Sequence, residues 1–193
     1  NKVEWLEAVN HPKNPDMGKR EMAFGKEIYI ERTDFMEDPP SKFFRLKPGG
    51  EVRLRFAYII KCEEIIKDAS GNITEVHCSY DPDTKSGTGT SEKKVKGTIH
   101  WVSAKENQPA QVNLFEALFN SPEPEIETDL NPHSLITCKN AVIEKCINEA
   151  NCGDSFQFER NGYFVLAQNE DDGNLHFNRI ITLRDSWKKI KKN

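Results

Sequence analysis

No hydrophobic run in this chain approaches the roughly 18 residues of a membrane span, which argues against an integral helical membrane protein. Cysteine is scarce and unpatterned. Cys62, Cys78, Cys138, Cys146 and Cys152 are odd in number, none has CxxC spacing, and only Cys78 neighbours a histidine, His77. A structural zinc site needs clustered ligands and a disulfide framework needs pairs. The five thiols read as reduced, mostly buried groups of a cytosolic protein. Catalytic signatures are missing too: the sequence has no P-loop, Gly-x-Ser-x-Gly elbow, His-Glu-x-x-His pair or dinucleotide fingerprint. Ser86-Gly87-Thr88-Gly89-Thr90 has glycines, but it lacks the lysine and the strand-to-helix setting of a phosphate cradle. Glu63-Glu64 and Asp171-Asp172 are chain neighbours, whose side chains point to opposite faces on a strand. They read as solvated edges rather than an acid–base pair. The start, Asn1-Lys2-Val3, has neither an initiator Met nor a signal-peptide pattern, and reads as an artificial boundary or as a domain cut from a longer protein.

The chain is polar for its size. Of 193 residues 36% are hydrophobic, below the roughly 45–50% typical of globular chains, so two small cores fit better than one large one. The net charge of −4 lacks the strongly basic balance of many nucleic-acid domains, yet binding needs only a local positive surface.

The dominant hydrophobic period is two. From Glu51 to Glu63, Val52, Leu54, Phe56, Tyr58, Ile60 and Cys62 alternate with a set that includes Arg53 and Arg55. This predicts one strand with an apolar face and a face carrying two arginines. Asp68 to Asn72 reads as a turn and Thr74–Tyr80 as the returning strand. Asp81–Lys94 has no period and predicts a mobile surface loop, after which Val95–Val102 resumes strand character. Ser121 to Glu125 is an acidic, proline-containing loop. Leu135–Cys138 predicts a strand and Ile143–Ala150 a short helix. Phe156–Leu166 predicts a hairpin whose Asn161-Gly162 supplies the positive-φ turn. Ile180–Leu183 is a last strand, and Lys188–Lys192 a basic tail. The expected fold class is mainly β, a barrel or sandwich with few short helices.

With no active-site constellation, binding is the default function. Unpaired RNA is bound by aromatic and guanidinium planes that stack on bases and by donors aimed at base edges and phosphates. Lys42-Phe43-Phe44-Arg45, Arg53 with Arg55, Gln157 with Arg160, and Arg184 offer such groups. The same residues also suit a solvated strand face or internal ion pairs. The residues alone therefore leave open an RNA-binding module, a protein-interaction barrel and an enzyme.

Five segments narrow the choice: Asn10-His11-Pro12; Gly49–Arg55 running into Ala57–Lys61; Val95–Ser103; Phe156–Phe164; and Phe177-Asn178-Arg179 with Leu183–Trp187. In order and across almost the whole chain, they resemble the C-terminal half of glutaminyl-tRNA synthetases. The resemblance implies two β-barrels of the ribosomal-protein-like anticodon-binding type. The proximal one would take residues 1–110 plus 172–193, and the distal one 111–171. It implies an anticodon loop of glutamine tRNA held between the barrels with its three bases unstacked and read singly. Arg45 falls where the family reads the third base, a guanine, with Lys42 beside it. Arg53 and Arg55 fall at the first base and nearby phosphate, and Gln157 and Arg160 at the pocket for the middle uracil. Arg184 and Ser186 support the same region. Where bacterial members carry Lys before the guanine reader, this chain has Phe44, which removes a charge and favours stacking. On simple pleating Gln157 and Arg160 face opposite ways, so a shared pocket requires the Asn161-Gly162 turn to re-aim Arg160.

The resemblance further implies a cytoplasmic ligase whose upstream catalytic domain uses ATP and Mg. This chain would hold no cofactor and no catalytic site, and would have no membrane or DNA partner. The runner-up is the corresponding domain of a eukaryotic-type glutamyl-tRNA synthetase, followed by a β-barrel interaction module with no RNA role.

Overall fold

A computed structural model of the chain describes residues 2–167 and 174–183. The fold is mainly β, with short 3-10 turns and no α-helix among the described residues. The chain divides into two compact units, Asn1–Glu106 and Asn107–Asn193.

The first unit contains eight strands: β1 (Glu4–Val9), β2 (Lys19–Phe24), β3 (Ile28–Ile30), β4 (Glu51–Leu54), β5 (Ile59–Lys67), β6 (Ile73–Asp81), β7 (Thr98–Ile99) and β8 (Trp101–Ser103). They form the hairpin β1-β2, the pair β3-β8 and a four-stranded sheet in the order β6-β5-β4-β7. All three sheets contribute to one core, which includes Leu6, Met22, Val52, Leu54, Ile99 and Trp101. Trp101 Nε1 donates to the Arg55 carbonyl at 2.9 Å, so the indole satisfies its only polar atom while filling the interior. Beside it, Phe24 packs against Tyr58 and Trp101 at ring-centroid distances of 5.1 and 5.6 Å.

The expected strand Glu51–Glu63 is in fact a tight hairpin. Leu54 and Tyr58 close it, with Leu54 N–H donating to the Tyr58 carbonyl at 2.9 Å, and Phe56 stands at φ 60°. A bulky residue in the left-handed region is an outlier. Here the ring packs against the core beneath it. Period two runs unbroken through the turn in sequence, which is why alternation alone missed it. Val95–Val102 is likewise interrupted, with His100 between β7 and β8.

The loop after β6 also departs from expectation, because its first part is anchored. The Thr84 hydroxyl, buried, accepts from Ile59 N–H at 2.9 Å and donates to the Asp81 carbonyl at 2.6 Å. Ser86 N–H and hydroxyl both donate to the Ala57 carbonyl. Next in the chain, Lys85 Nζ meets Glu4 Oε1 at 2.6 Å, while the Tyr58 hydroxyl donates to Glu4 Oε2 at 2.8 Å. Lys85 foremost, and then Tyr58, hold the Glu4 carboxyl below its ordinary value of 4.5, against an opposing effect of burial. Burial and Glu4 push the Tyr58 phenol up to about 12. A carboxylate with a depressed folded pKa stabilises the fold above its unfolded pKa, and that contribution is lost as pH falls through the folded value. Glu4→Gln is therefore expected to lower the urea midpoint at neutral pH. Its gap from wild type should close as pH falls below 4.5. A gap that stays constant from neutral to acid pH would remove Glu4 from the acid response.

The second unit is a five-stranded sheet in the order β10-β9-β13-β12-β11, formed by β9 (Asn107–Phe115), β10 (Leu135–Glu144), β11 (Ser155–Phe158), β12 (Gly162–Leu166) and β13 (Leu175–Thr182). Its core gathers Ala110, Val112, Ile143, Phe164, Leu166 and Phe177. Phe158 stacks on Phe164 at 4.3 Å and tilts against Phe177 at 5.2 Å. The sequence reading placed 172–193 with the first unit. The described part of that stretch, β13, instead pairs parallel with β9 and antiparallel with β12. The physical reason is Phe177, which is fully buried among the second unit's aromatics. The helix expected over Ile143–Ala150 is the end of β10 followed by the 3-10 turn Lys145–Glu149.

The thiols also correct an expectation. All five cysteines are free, but only Cys62 is buried, while Cys78, Cys138 and Cys152 are exposed. Cys62 comes from the face of β5 that supplies the core, whereas Cys152 lies in a turn outside the strands.

Candidate RNA interface

In the first unit, Gly97 draws the predicted residues together. Its carbonyl accepts the Arg53 N–H at 2.9 Å. A Cβ built on Gly97 would fall 1.8 Å from the Phe44 carbonyl oxygen. The segment carrying Lys42, Phe44 and Arg45 therefore lies against the edge of the sheet that carries Arg53.

Each arginine then has its own setting. Arg45 Nη1 donates to the Thr33 carbonyl at 3.1 Å, and its Nε lies 3.6 Å from Asp34 Oδ1. The Arg45 side chain is 14% exposed and that of Asp34 1%. This guanidinium is oriented by the fold and only a small part of it reaches solvent. Arg53 Nη1 donates to the carbonyls of Thr84 at 2.7 Å and Ala57 at 3.3 Å, and approaches Ser86 Oγ at 3.2 Å. These contacts tie the anchored loop to β4. A guanidinium carries five N–H donors, and any RNA contact by Arg53 falls to Nε and Nη2. Arg55 lies with Cζ 5.0 Å from the centroid of the Phe56 ring, and Arg20 from β2 lies 5.7 Å from the same centroid. Sequence reasoning missed Arg20, because nothing local signals that β2 approaches the 55–58 turn. Lys42 is exposed.

In the second unit the hairpin turn differs in detail from expectation. The positive φ angles fall on Arg160, at 65°, and Gly162, at 150°, rather than on the Asn161-Gly162 pair. The turn thus puts Arg160 itself in the left-handed region, so its side chain leaves the strand off the simple pleat. Gln157 is exposed and pairs directly with Tyr163, which pairs in turn with Ile181. Directly paired residues share a face, so Gln157 stands beside a tyrosine that is 42% exposed. Sequence reasoning overlooked Tyr163, although the hairpin register implies it. Arg184 and Ser186 lie outside the described residues.

Residues 1–81 match the family described as tRNA synthetases class I (E and Q), anticodon-binding domain, and residues 98–167 match a second part of it under the same description. The chain belongs to the anticodon-binding domain family of the class I E and Q tRNA synthetases. It is 50% identical over 197 aligned residues to the glutamine–tRNA ligase of Rhodopirellula baltica, covering 98% of this chain and 33% of that protein. It is 47% identical to the glutamine–tRNA ligase of Bradyrhizobium diazoefficiens, over 97% of this chain and 34% of that protein. The glutamine–tRNA ligase of Clostridium perfringens is 50% identical over 96% of this chain and 34% of its own length. The chain thus spans about a third of the length of these curated relatives. The segment between the two family matches, 82–97, includes the anchored loop and Gly97. No helix among the described residues is long and apolar enough to cross a membrane.

Proposed function

We propose that this chain binds the anticodon loop of glutamine tRNA as the recognition part of a cytoplasmic glutamine–tRNA ligase. Aminoacylation, with ATP and Mg, belongs to a catalytic domain upstream in the full protein. The observation that carries this reading is the arrangement around Gly97. In a chain of anticodon-binding family, the segment carrying an exposed aromatic and a guanidinium oriented by a buried carboxylate meets, at one glycine, the strand that bears Arg53 and leads into Arg55. Unstacked RNA needs these two chemistries, planes for its bases and forked donors for their edges and phosphates. The relatives' names favour glutamine over glutamate as the amino acid.

In this reading Arg45, with Lys42 nearby, takes the third anticodon base. Arg55 and the remaining donors of Arg53 take the first base and its phosphate. Gln157 and Arg160 take the middle uracil with Tyr163 beside them, and Arg184 and Ser186 support that region.

The test is titration of the folded chain with a glutamine anticodon stem-loop, a glutamate one and one of scrambled anticodon. Tighter binding of the glutamine loop is expected, weakening steeply as salt rises, because phosphate contacts release counterions. Gln157→Ala removes an exposed side chain and should cost about 1–3 kcal/mol of binding, the value of one good base contact. Equal affinity for the glutamine and scrambled loops, or no binding at low salt, would overturn the reading.

A further inference from the structure

Phe43 and Phe44 are chain neighbours with opposite fates. Phe43 is buried, whereas Phe44 is 47% exposed. An exposed phenyl ring alone carries little information, but three features make this one specific. Lys96 holds its ammonium over the ring, 5.4 Å from the centroid. The Phe44 backbone is held on either side, with Phe43 N–H donating to the Pro40 carbonyl and Leu46 exchanging hydrogen bonds with Asp34 and Met36, and its own carbonyl packs directly against Gly97. The following residue, Arg45, is oriented by Asp34 and the Thr33 carbonyl. The ring is thus a fixed plate, with a cation over it and a guanidinium at the next position.

We propose that Phe44 is a stacking platform for an unpaired nucleobase, with Lys96 positioned for the phosphate that accompanies that base. This inference rests on the anticodon reading and adds to it a residue, Phe44, and a mode of contact. Base–aromatic stacking tolerates any base, because each has a π-face. The platform therefore contributes affinity and holds the strand unstacked, while Arg45 supplies base identity. Lys96 serves both partners: its charge is attracted to the ring's negative face, leaving the opposite face for the base, and it attracts the backbone phosphates of the RNA.

The experiment is a mutant cycle with the glutamine anticodon stem-loop. Phe44→Leu keeps an apolar side chain at an exposed position, so its thermal melting should match wild type. It should bind the loop about tenfold or more weakly, and Phe44→Trp should restore binding. A series of loops with an abasic nucleotide at each anticodon position in turn locates the stacked base. At one position, wild type and Phe44→Leu should bind with equal affinity, because the partner of the ring is gone. If wild type binds the intact loop and Phe44→Leu binds it equally well, the platform is overturned while the anticodon reading stands. If the loss on Phe44→Leu is the same for every abasic loop, the ring contacts no anticodon base and the proposal likewise falls. Failure of wild type to bind any stem-loop removes both.

Discussion

Arg45→Ala is expected to cost about 3–5 kcal/mol of folding stability before any RNA is present, the range measured when one partner of a buried ion pair is removed. The reason lies in Asp34. Its side chain is 1% exposed, and Arg45 Nε is 3.6 Å from its Oδ1. The Asp34 backbone is fixed as well: its N–H donates to the Glu31 carbonyl at 2.8 Å, and its carbonyl accepts the Leu46 N–H at 2.9 Å. When the guanidinium disappears the carboxylate loses this contact while its backbone still holds it in the interior, away from water. Replacing both partners by apolar residues removes both charges, which is often close to neutral. Urea unfolding of Arg45→Ala, Asp34→Leu and the double variant Asp34→Leu/Arg45→Met should show the double variant more stable than Arg45→Ala. Arg45→Ala with wild-type stability would show that the pair does not hold this segment.

This expectation changes how Arg45 is tested for RNA binding. A loss of affinity in Arg45→Ala mixes a missing base contact with a displaced Phe44-Arg45 segment. Arg45→Lys separates the two, because it keeps a cation near Asp34 but loses the planar fork proposed to read a guanine edge. Its affinity measures the fork, while its unfolding curve reports on the segment.

The residue types of the proposed interface were legible in the sequence, and their partners were not. Arg53 and Arg55 stand out as cations in an apolar alternation, and Arg45 as a cation directly after two phenylalanines. That Arg53 faces Thr84 and Ser86, or that Arg45 meets Asp34, depends on loops brought back from elsewhere in the chain. The mainly-β class was legible because Thr74–Tyr80 and Phe156–Leu166 alternate between turn residues, a local signal. The 55–58 turn was hidden because Phe56 occupies a left-handed position usually left to Gly, Asn or Asp, so no turn residue marks it. The place of β13 was hidden for another reason. Its parallel pairing with β9 joins stretches more than sixty residues apart, and nothing local encodes which distant strand it will choose. Tyr163 falls between these cases: once the Asn161-Gly162 hairpin is recognised, its register places Tyr163 opposite Gln157.

Gly97→Ala is expected to destabilise the first unit by about 4 kcal/mol, in the exceptional tail of single substitutions. The added methyl would lie 1.8 Å from the Phe44 oxygen, 2.9 Å from its carbonyl carbon and 3.2 Å from Val52 Cγ1. A clash with a flexible side-chain tip relaxes at small cost, but this one is with backbone, and each route of escape is blocked. The Phe44 side is held through Leu46, which exchanges hydrogen bonds with Asp34 and Met36 and bridges to Phe35. The Gly97 side is held by the Arg53 N–H and by the parallel pairing of Thr98 with Arg53 and Ile99 with Leu54. Relief requires breaking one of these sets, and Ile99 and Leu54 are both fully buried. If β7 gives way, the core opens. If the 42–46 segment gives way, Phe44 and Arg45 move and RNA affinity falls with stability. Amide exchange distinguishes the routes, since Arg53 N–H loses protection in the first and Leu46 N–H in the second. Gly97→Ala unfolding within about 1 kcal/mol of wild type would mean that the contact relaxes freely. The fixed placement of Phe44, on which the stacking proposal depends, would then be lost.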